Sequence, residues 1–414
     1  MIHPLYSLVL LGAQPLLRRK LRRRGVAEPG YLEHVDERFG RFEGTTEPGR
    51  LWIHAVSLGE TRAAAILVDA LRKAQPGLRI LLTHGTATGR AEGVRLLREG
   101  DAQAWFPWDT PKAVKAFLDH FRPAAGVLME TEVWPNVIAL CRERGVPLAL
   151  ANARLSEKSL KQARRLPRLS RPTYAALGAV WAQTEDDARR LAQAGATVQG
   201  VFGNLKFDAT PAPEQLARGR AWRAAQPRPV VMFASSREGE EAEFLRAIAA
   251  HPGVQWLLVP RHPQRFDEVA GLVAQSGFSV SRRSAWGEAP GAADVWVGDS
   301  LGEMPLYYAL ADVALLGGSF LPLGGQNLIE AAACGCPIVM GPHTFNFSEA
   351  AQLAQEAGAA RRVASMEEGV REAVAMAQDA AARAQVSAAG EQFAAAHRGA
   401  AQRTAEAVLG LMAR

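Results

Sequence analysis

Three carboxylates stand where strands give way to loops. Glu60 follows the apolar run LWIHAV, in the string SLGE that opens a helical pattern. Glu130 and Glu132 follow the run AGVLM, in the string METEVWPN. An acid at a helix start caps the helix and favours its dipole. The same group at a pocket mouth serves as a general base, and position alone leaves both readings of Glu60 open. Two carboxylates leaving a core strand are costly unless paired. Glu130 and Glu132 therefore either bond backbone donors or do chemistry.

The second half places a different chemistry in the same kind of loop. PVVMFASSREGEE sets Ser235, Ser236 and Arg237 in a strand-to-helix turn, and LVPRHPQRF sets Arg261 and His262 in another. Helix starts attract anions, and an arginine clamps a phosphate or carboxylate with two parallel hydrogen bonds. His262 has no second ligand at metal spacing. Further on, DVALLGGS ends in Gly317, Gly318 and Ser319, and LPLGGQN leads into the helix NLIEAAACG. Glycines admit a ligand close to the backbone. The first amides of that helix, near Asn327 and Leu328, are directed at a phosphate, and Glu330 is placed to accept two hydrogen bonds from a ribose diol. A nucleotide pocket is the expectation. It is not a dinucleotide site, because neither G-x-G-x-x-G nor a Walker A string occurs. Nor is there an Asp-x-Asp pair to hold a divalent cation, so no metal and no cofactor are expected, and arginines and helix starts must stabilise a leaving group.

Short apolar runs alternating with helical patterns must position these loops. LWIHAV, RILLTH, AQAWFP, AGVLME, PLALAN, AVWAQT and VQGVFG are the strands predicted in the first half. PVVMFASS, VQWLLVP, DVWVGD, DVALLGG and PIVMGP are those predicted in the second. Between them, residues 209–228 carry three prolines and one short helical pattern, and read as a linker. Such alternation implies mostly parallel sheets covered by helices on both faces. The predicted fold is α/β, with two doubly wound, Rossmann-like domains facing across a cleft. The boundaries are 1–24 for a basic, apolar anchor, 25–208 for the first domain and 229–414 for the second with its Ala-rich terminal helices.

A length of 414 residues suits two cores. Cys141, Cys334 and Cys336 fit a reducing compartment and small buried side chains rather than a metal site. The net charge of +6 divides into +11 through Lys206 and −5 after it, so the first half is expected to meet something anionic. The basic residues of 154–171 are either a solvated helix face or part of that surface. At the N-terminus, MIHPLYSLVLLGAQPLL precedes RRKLRRR, the reverse of a secretory signal. The run is at the lower limit for a span, with Pro4 and Pro15 interrupting it. Its cations favour anionic headgroups, and an anchor in or on the membrane, with the body in the cytoplasm, is the expected arrangement.

In this order the loops resemble those of the Kdo (3-deoxy-D-manno-octulosonic acid) transferases, a GT-B glycosyltransferase family. The resemblance rests on HAVSLGE (54–60), METEVWPN (129–136), LANARLS (150–156), GNLKFD (203–208), LVPRHPQRF (258–266), VGDSLGEM (297–304), GGSF (317–320) and MGPHTFNF (340–347). It implies inverting transfer of Kdo from CMP-Kdo to lipid IVA, the lipid A precursor, with release of CMP. Partners would be that donor, that acceptor and the anionic cytoplasmic face of the inner membrane, and not nucleic acid. Position by position, it implies Glu60 as general base and Glu130 and Lys206 as stabilisers of the transition state. Pro260, Arg261, Leu301, Gly302, Glu303, Asn327, Leu328, Ile329 and Glu330 would contact CMP. The family commonly reads GGHN where this chain has Gln326 before Asn327. Gln326 keeps a donor and an acceptor for phosphate or the Kdo carboxylate, but cannot relay a proton. Two other readings are a sugar-nucleotide epimerase on the same fold, which has no need of an anchor, and a non-catalytic binding module, which has no need of Glu60 and Glu130.

Overall fold

The computed structural model describes residues 4–413. Two compact units emerge, one formed by Met1–Asp208 with Arg398–Arg414 and the other by Ala209–His397.

The first unit holds seven parallel strands: β1 (Leu51–His54), β2 (Ile80–His84), β3 (Ala102–Trp105), β4 (Ala125–Met129), β5 (Leu148–Ala153), β6 (Ala179–Ala182) and β7 (Gly200–Val201). Their order is β3-β2-β1-β4-β5-β6-β7. Both faces are covered, which is why the strands read as unbroken apolar runs. Leu51 and Ile53 pack on one face with Leu67, Val408 and Leu411, while Trp52 between them packs on the other with Phe117 and Val114.

The second unit repeats the plan with β8 (Val230–Ser236), β9 (Gln255–Pro260), β10 (Val280–Arg282), β11 (Val295–Val297), β12 (Val313–Leu316), β13 (Ile338–Met340) and β14 (Ala360–Arg362). Their order is β10-β11-β9-β8-β12-β13-β14. β10 and β14 are additions to the strands predicted from sequence. Each is three residues long and sits at a sheet edge, with the sequences VSR and ARR, so neither carries an apolar run.

Strand order reverses direction between β1 and β4, and again between β8 and β12. Ligands of open parallel sheets bind beyond the strand ends at such switch points. The loops after β1 and β4 carry Glu60 and Glu130, and those after β8 and β12 carry Arg237 and the Gly317–Ser319 turn.

Three features depart from the sequence reading. The segment expected to link the domains contains its one predicted helix, Pro213–Ala224, but that helix is part of the second unit rather than a linker. It lies so close to the helix Met304–Leu310 that a side chain on Gly219 would meet the Leu306 carbonyl. The last helix, Ala400–Met412, was assigned to the domain 229–414 but belongs to the first unit. It packs on the helix Leu58–Ala74, and Asp208 caps it by accepting hydrogen bonds from the Gly399 and Ala401 amides. Its Ala-rich sequence gives helicity but not destination. The N-terminal helix runs unbroken from Pro4 to Ala27 through Pro15. Leu5, Leu8, Val9, Leu11 and Leu16 are exposed on it, whereas Ser7 is buried and bonded to Asn136 of METEVWPN. Among the described residues, no helix is long and apolar enough to cross a membrane.

Candidate active site

In the first unit, Ser57 caps the helix Leu58–Ala74 by accepting the Glu60 amide at 3.3 Å. The Glu60 side chain turns back, its Oε2 accepting the Val56 amide at 2.9 Å and its Oε1 the Ser57 hydroxyl at 3.2 Å. This is a variant of the capping box, with the donor one residue upstream of the cap. Burial pushes the Glu60 carboxyl up to about 7, the Val56 hydrogen bond opposes the rise, and the charges of Glu130 and Glu132 add to it. Sensitivity to both acids puts the three carboxylates in one electrostatic neighbourhood.

Glu130 follows β4 directly and has a left-handed backbone, φ +56°. That conformation is unusual for a side-chain-bearing residue. It turns the carboxylate out of the strand, and the Glu130 Oε1 meets Lys206 Nζ at 3.4 Å. Glu132 is held separately, accepting the Trp134 indole N–H at 2.8 Å and lying 3.8 Å from His54 Nε2. Lys206 lies on a single 3-10 turn, Leu205–Asp208. Asn152, also left-handed at φ +50° and buried, fixes that turn by accepting the Leu205 amide at 3.0 Å. The β5–β6 register shifts between Leu150 and Ala153, where Asn152 sits. Asn152 lies within LANARLS, yet nothing in that string marks it as the partner of a loop fifty residues on.

In the second unit, Arg261 follows β9, which Pro260 ends as a buried residue. Arg261 Nε donates to Gln326 Oε1 at 3.2 Å, which joins two of the expected donor contacts. Glu330 and Arg261 both act on the buried Tyr308 hydroxyl, which burial drives well above its usual range. Arg237, Arg261 and Arg265 surround His262, whose pKa is lowered first by burial and then by those three cations. Arg265 is paired with Glu241 and Glu268, which leaves Arg237 and Arg261 as the cations suited to an anionic ligand.

The remaining expected contacts differ in what they offer. Asn327 caps the helix Leu328–Ala333 by accepting the Ile329 amide at 3.2 Å. Leu328 and Ile329 send their side chains into the core, and with the Ile329 amide taken by Asn327 they offer a ligand only the remaining backbone groups. Leu301 is exposed, Gly302 is left-handed at φ +81°, and Glu303 is held by Arg283 at 2.8 Å. Cys141, Cys334 and Cys336 are buried free thiols.

The family model described as 3-Deoxy-D-manno-octulosonic-acid transferase (kdotransferase) matches residues 33–209. A 3-deoxy-D-manno-octulosonic acid transferase of Bordetella pertussis is 49% identical, over 97% of this chain and 98% of its own. One from Haemophilus influenzae is 32% identical over 96% of both. Among solved structures, a glycosyltransferase from Rickettsia africae superposes with a TM-score of 0.59 at 10% identity, over 88% of this chain and 99% of that one. That likeness speaks to the GT-B fold alone. Identity of this extent along nearly the whole sequence, with the family's strings at the strand ends, means that the chain belongs to the Kdo transferases, which are glycosyltransferases.

Proposed function

We propose that this protein moves Kdo from CMP-Kdo to a hydroxyl of lipid IVA, with inversion at the anomeric carbon and release of CMP, at the cytoplasmic face of the inner membrane. The observation that carries the reading is the Glu60 carboxyl, pushed up to about 7 and fixed at the sheet's switch point beside Glu130. A base with that pKa is half deprotonated at neutral pH and takes a proton efficiently.

Glu60 removes the acceptor hydroxyl proton as the oxygen attacks the anomeric carbon. The bond from that carbon to the CMP phosphate oxygen breaks, and CMP leaves with the electron pair. Glu130 and Lys206 act as fixed charges around the transition state, and pre-oriented charges need no reorganisation when the reaction occurs. Arg261, Gln326, Asn327 and Glu330, with Pro260, Leu301, Gly302, Glu303 and the backbone of Leu328 and Ile329, hold CMP. The exposed apolar side chains of the helix Pro4–Ala27, followed by its cations at 18–24, support binding at an anionic bilayer surface.

Purified full-length protein incubated with CMP-Kdo and tetra-acylated lipid A precursor should give product bearing added Kdo by mass spectrometry. Donor incubated without acceptor should stay unconverted. Absence of Kdo-bearing product overturns the reading, and conversion of the donor alone to an isomer replaces it with epimerisation.

A further inference from the structure

We infer that Glu240, which takes no part in the proposed reaction, is a positioning residue for the donor site, its carboxylate closing a ring of contacts that fixes the Arg261–Gln326 pair. This inference rests on the reading that the second unit holds CMP-Kdo.

Glu240 opens the helix Glu240–Ile248 and is wholly buried. A buried carboxylate is costly and persists only where donors surround it. Here backbone amides supply them. Oε2 accepts Gly318 N–H at 2.7 Å and Arg237 N–H at 3.0 Å, and Oε1 accepts Phe320 N–H at 3.1 Å. These amides belong to the loops after β8 and β12, the two strands flanking the switch point. Glu240 thus ties together the two loops between which a ligand of this sheet binds.

The ring continues from Gly318, whose carbonyl accepts the Gly325 amide at 2.7 Å. Gln326 follows and accepts from Arg261 at 3.2 Å. The Arg261 amide donates to the Ser236 carbonyl at 3.0 Å, and the next residue, Arg237, donates back to Glu240. Each contact fixes the next, so the position of Gln326 and the aim of Arg261 depend on a side chain that touches neither. Ser235, at the turn of this ring, is left-handed at φ +57°, and the β8–β9 register shifts there. Glu240 also occupies the amides that would otherwise make the Gly317–Ser319 turn an anion seat. The donor phosphate is then left to Arg237 and Arg261, since Arg265 is already paired with Glu241 and Glu268.

Glu240→Gln tests this, because both carboxylate oxygens accept backbone amides, and an NH2 in place of either turns a donor against those N–H groups. In the full-length enzyme, the Kd for CMP and the KM for CMP-Kdo should rise about tenfold or more. The acceptor KM should stay within about twofold and the acid limb of the pH profile should not move, as a general loosening of the fold would not allow. A folded E240Q with wild-type CMP affinity overturns the inference. Should E240Q not fold, Gln326→Ala breaks the ring on its far side, and hydrogen exchange at the Gly318 and Gly325 amides should quicken. Unchanged exchange there overturns it equally. Failure of the wild-type protein to bind CMP would instead defeat the donor reading, and the inference with it.

Discussion

Lys206 Nζ lies 3.4 Å from Glu130 Oε1, with side chains 22% and 11% exposed, although the two residues come from loops on different strands. Removing one member of so sheltered a pair leaves an uncompensated charge, which typically costs about 3–5 kcal/mol. Lys206→Ala should therefore lower the thermal unfolding midpoint. Glu130→Gln combined with Lys206→Ala should recover part of that loss while leaving transfer abolished. A double variant no more stable than Lys206→Ala would mean the two charges do not interact energetically.

Glu60→Gln keeps an oxygen for the Val56 amide and an isosteric side chain at the helix start. Below about pH 4.5, where Glu60 is protonated in both states, the variant's stability should stay within about 1 kcal/mol of wild type, the usual worth of a cap. Without a basic carboxylate the transfer rate should fall by about 10²–10⁴-fold, with CMP affinity unchanged. Retention of more than about a tenth of the wild-type rate counts against Glu60 as the base.

The same residue sets a pH dependence. A base acts when deprotonated, so kcat/KM should climb with pH through about 7 and level off above it. Stability moves the opposite way. The native Glu60 pKa of about 7 exceeds its ordinary value of 4.5, so between those values the native state holds more protons than the unfolded chain. Its contribution to stability is full below about 4.5 and is lost as pH rises through about 7. Denaturant titrations of wild type and Glu60→Gln across that window should differ in slope, with the steeper decline in the wild type.

Asn152 supports Lys206 through the Leu205 amide. Asn152→Gly removes the side chain while accepting the left-handed backbone, so it isolates the lost hydrogen bond from backbone strain. It should lower kcat with little change in CMP affinity, and Asn152→Asp, which keeps the acceptor, should restore most of it. Equal kcat in Asn152→Gly and wild type would show that the turn holds Lys206 without help.

Replacing Arg18, Arg19, Lys20, Arg22, Arg23 and Arg24 by Gln should weaken binding to vesicles rich in anionic lipid. Each cation near such a surface contributes about 1 kcal/mol. Sedimentation at moderate salt should find the variant in the supernatant and the wild type with the vesicles. Equal partition would mean that the exposed leucines of this helix suffice.

Alternating apolar runs announced two doubly wound units, because strands covered on both faces must be apolar throughout and the helices between them must be amphipathic. Glu130 and Arg261 were legible for a related reason, since a charged residue directly after such a run has to sit at the strand's end, and Glu60 because it lies in the first turn of the helix that follows one. β10 and β14 were not legible, because edge strands three residues long need no apolar pattern. Periodicity likewise gave the helix Ala400–Met412 its form but not its place against Leu58–Ala74, since an alanine-rich face fits many surfaces. Asn152 sits within β5 and Glu240 at the first position of a helix, and their partners, Leu205 and Gly318, lie 53 and 78 residues away. Local sequence determines which groups leave a strand. Only the folding of distant loops around a shared switch point decides which of those groups meet, because each hydrogen bond there joins backbone that no short-range pattern relates.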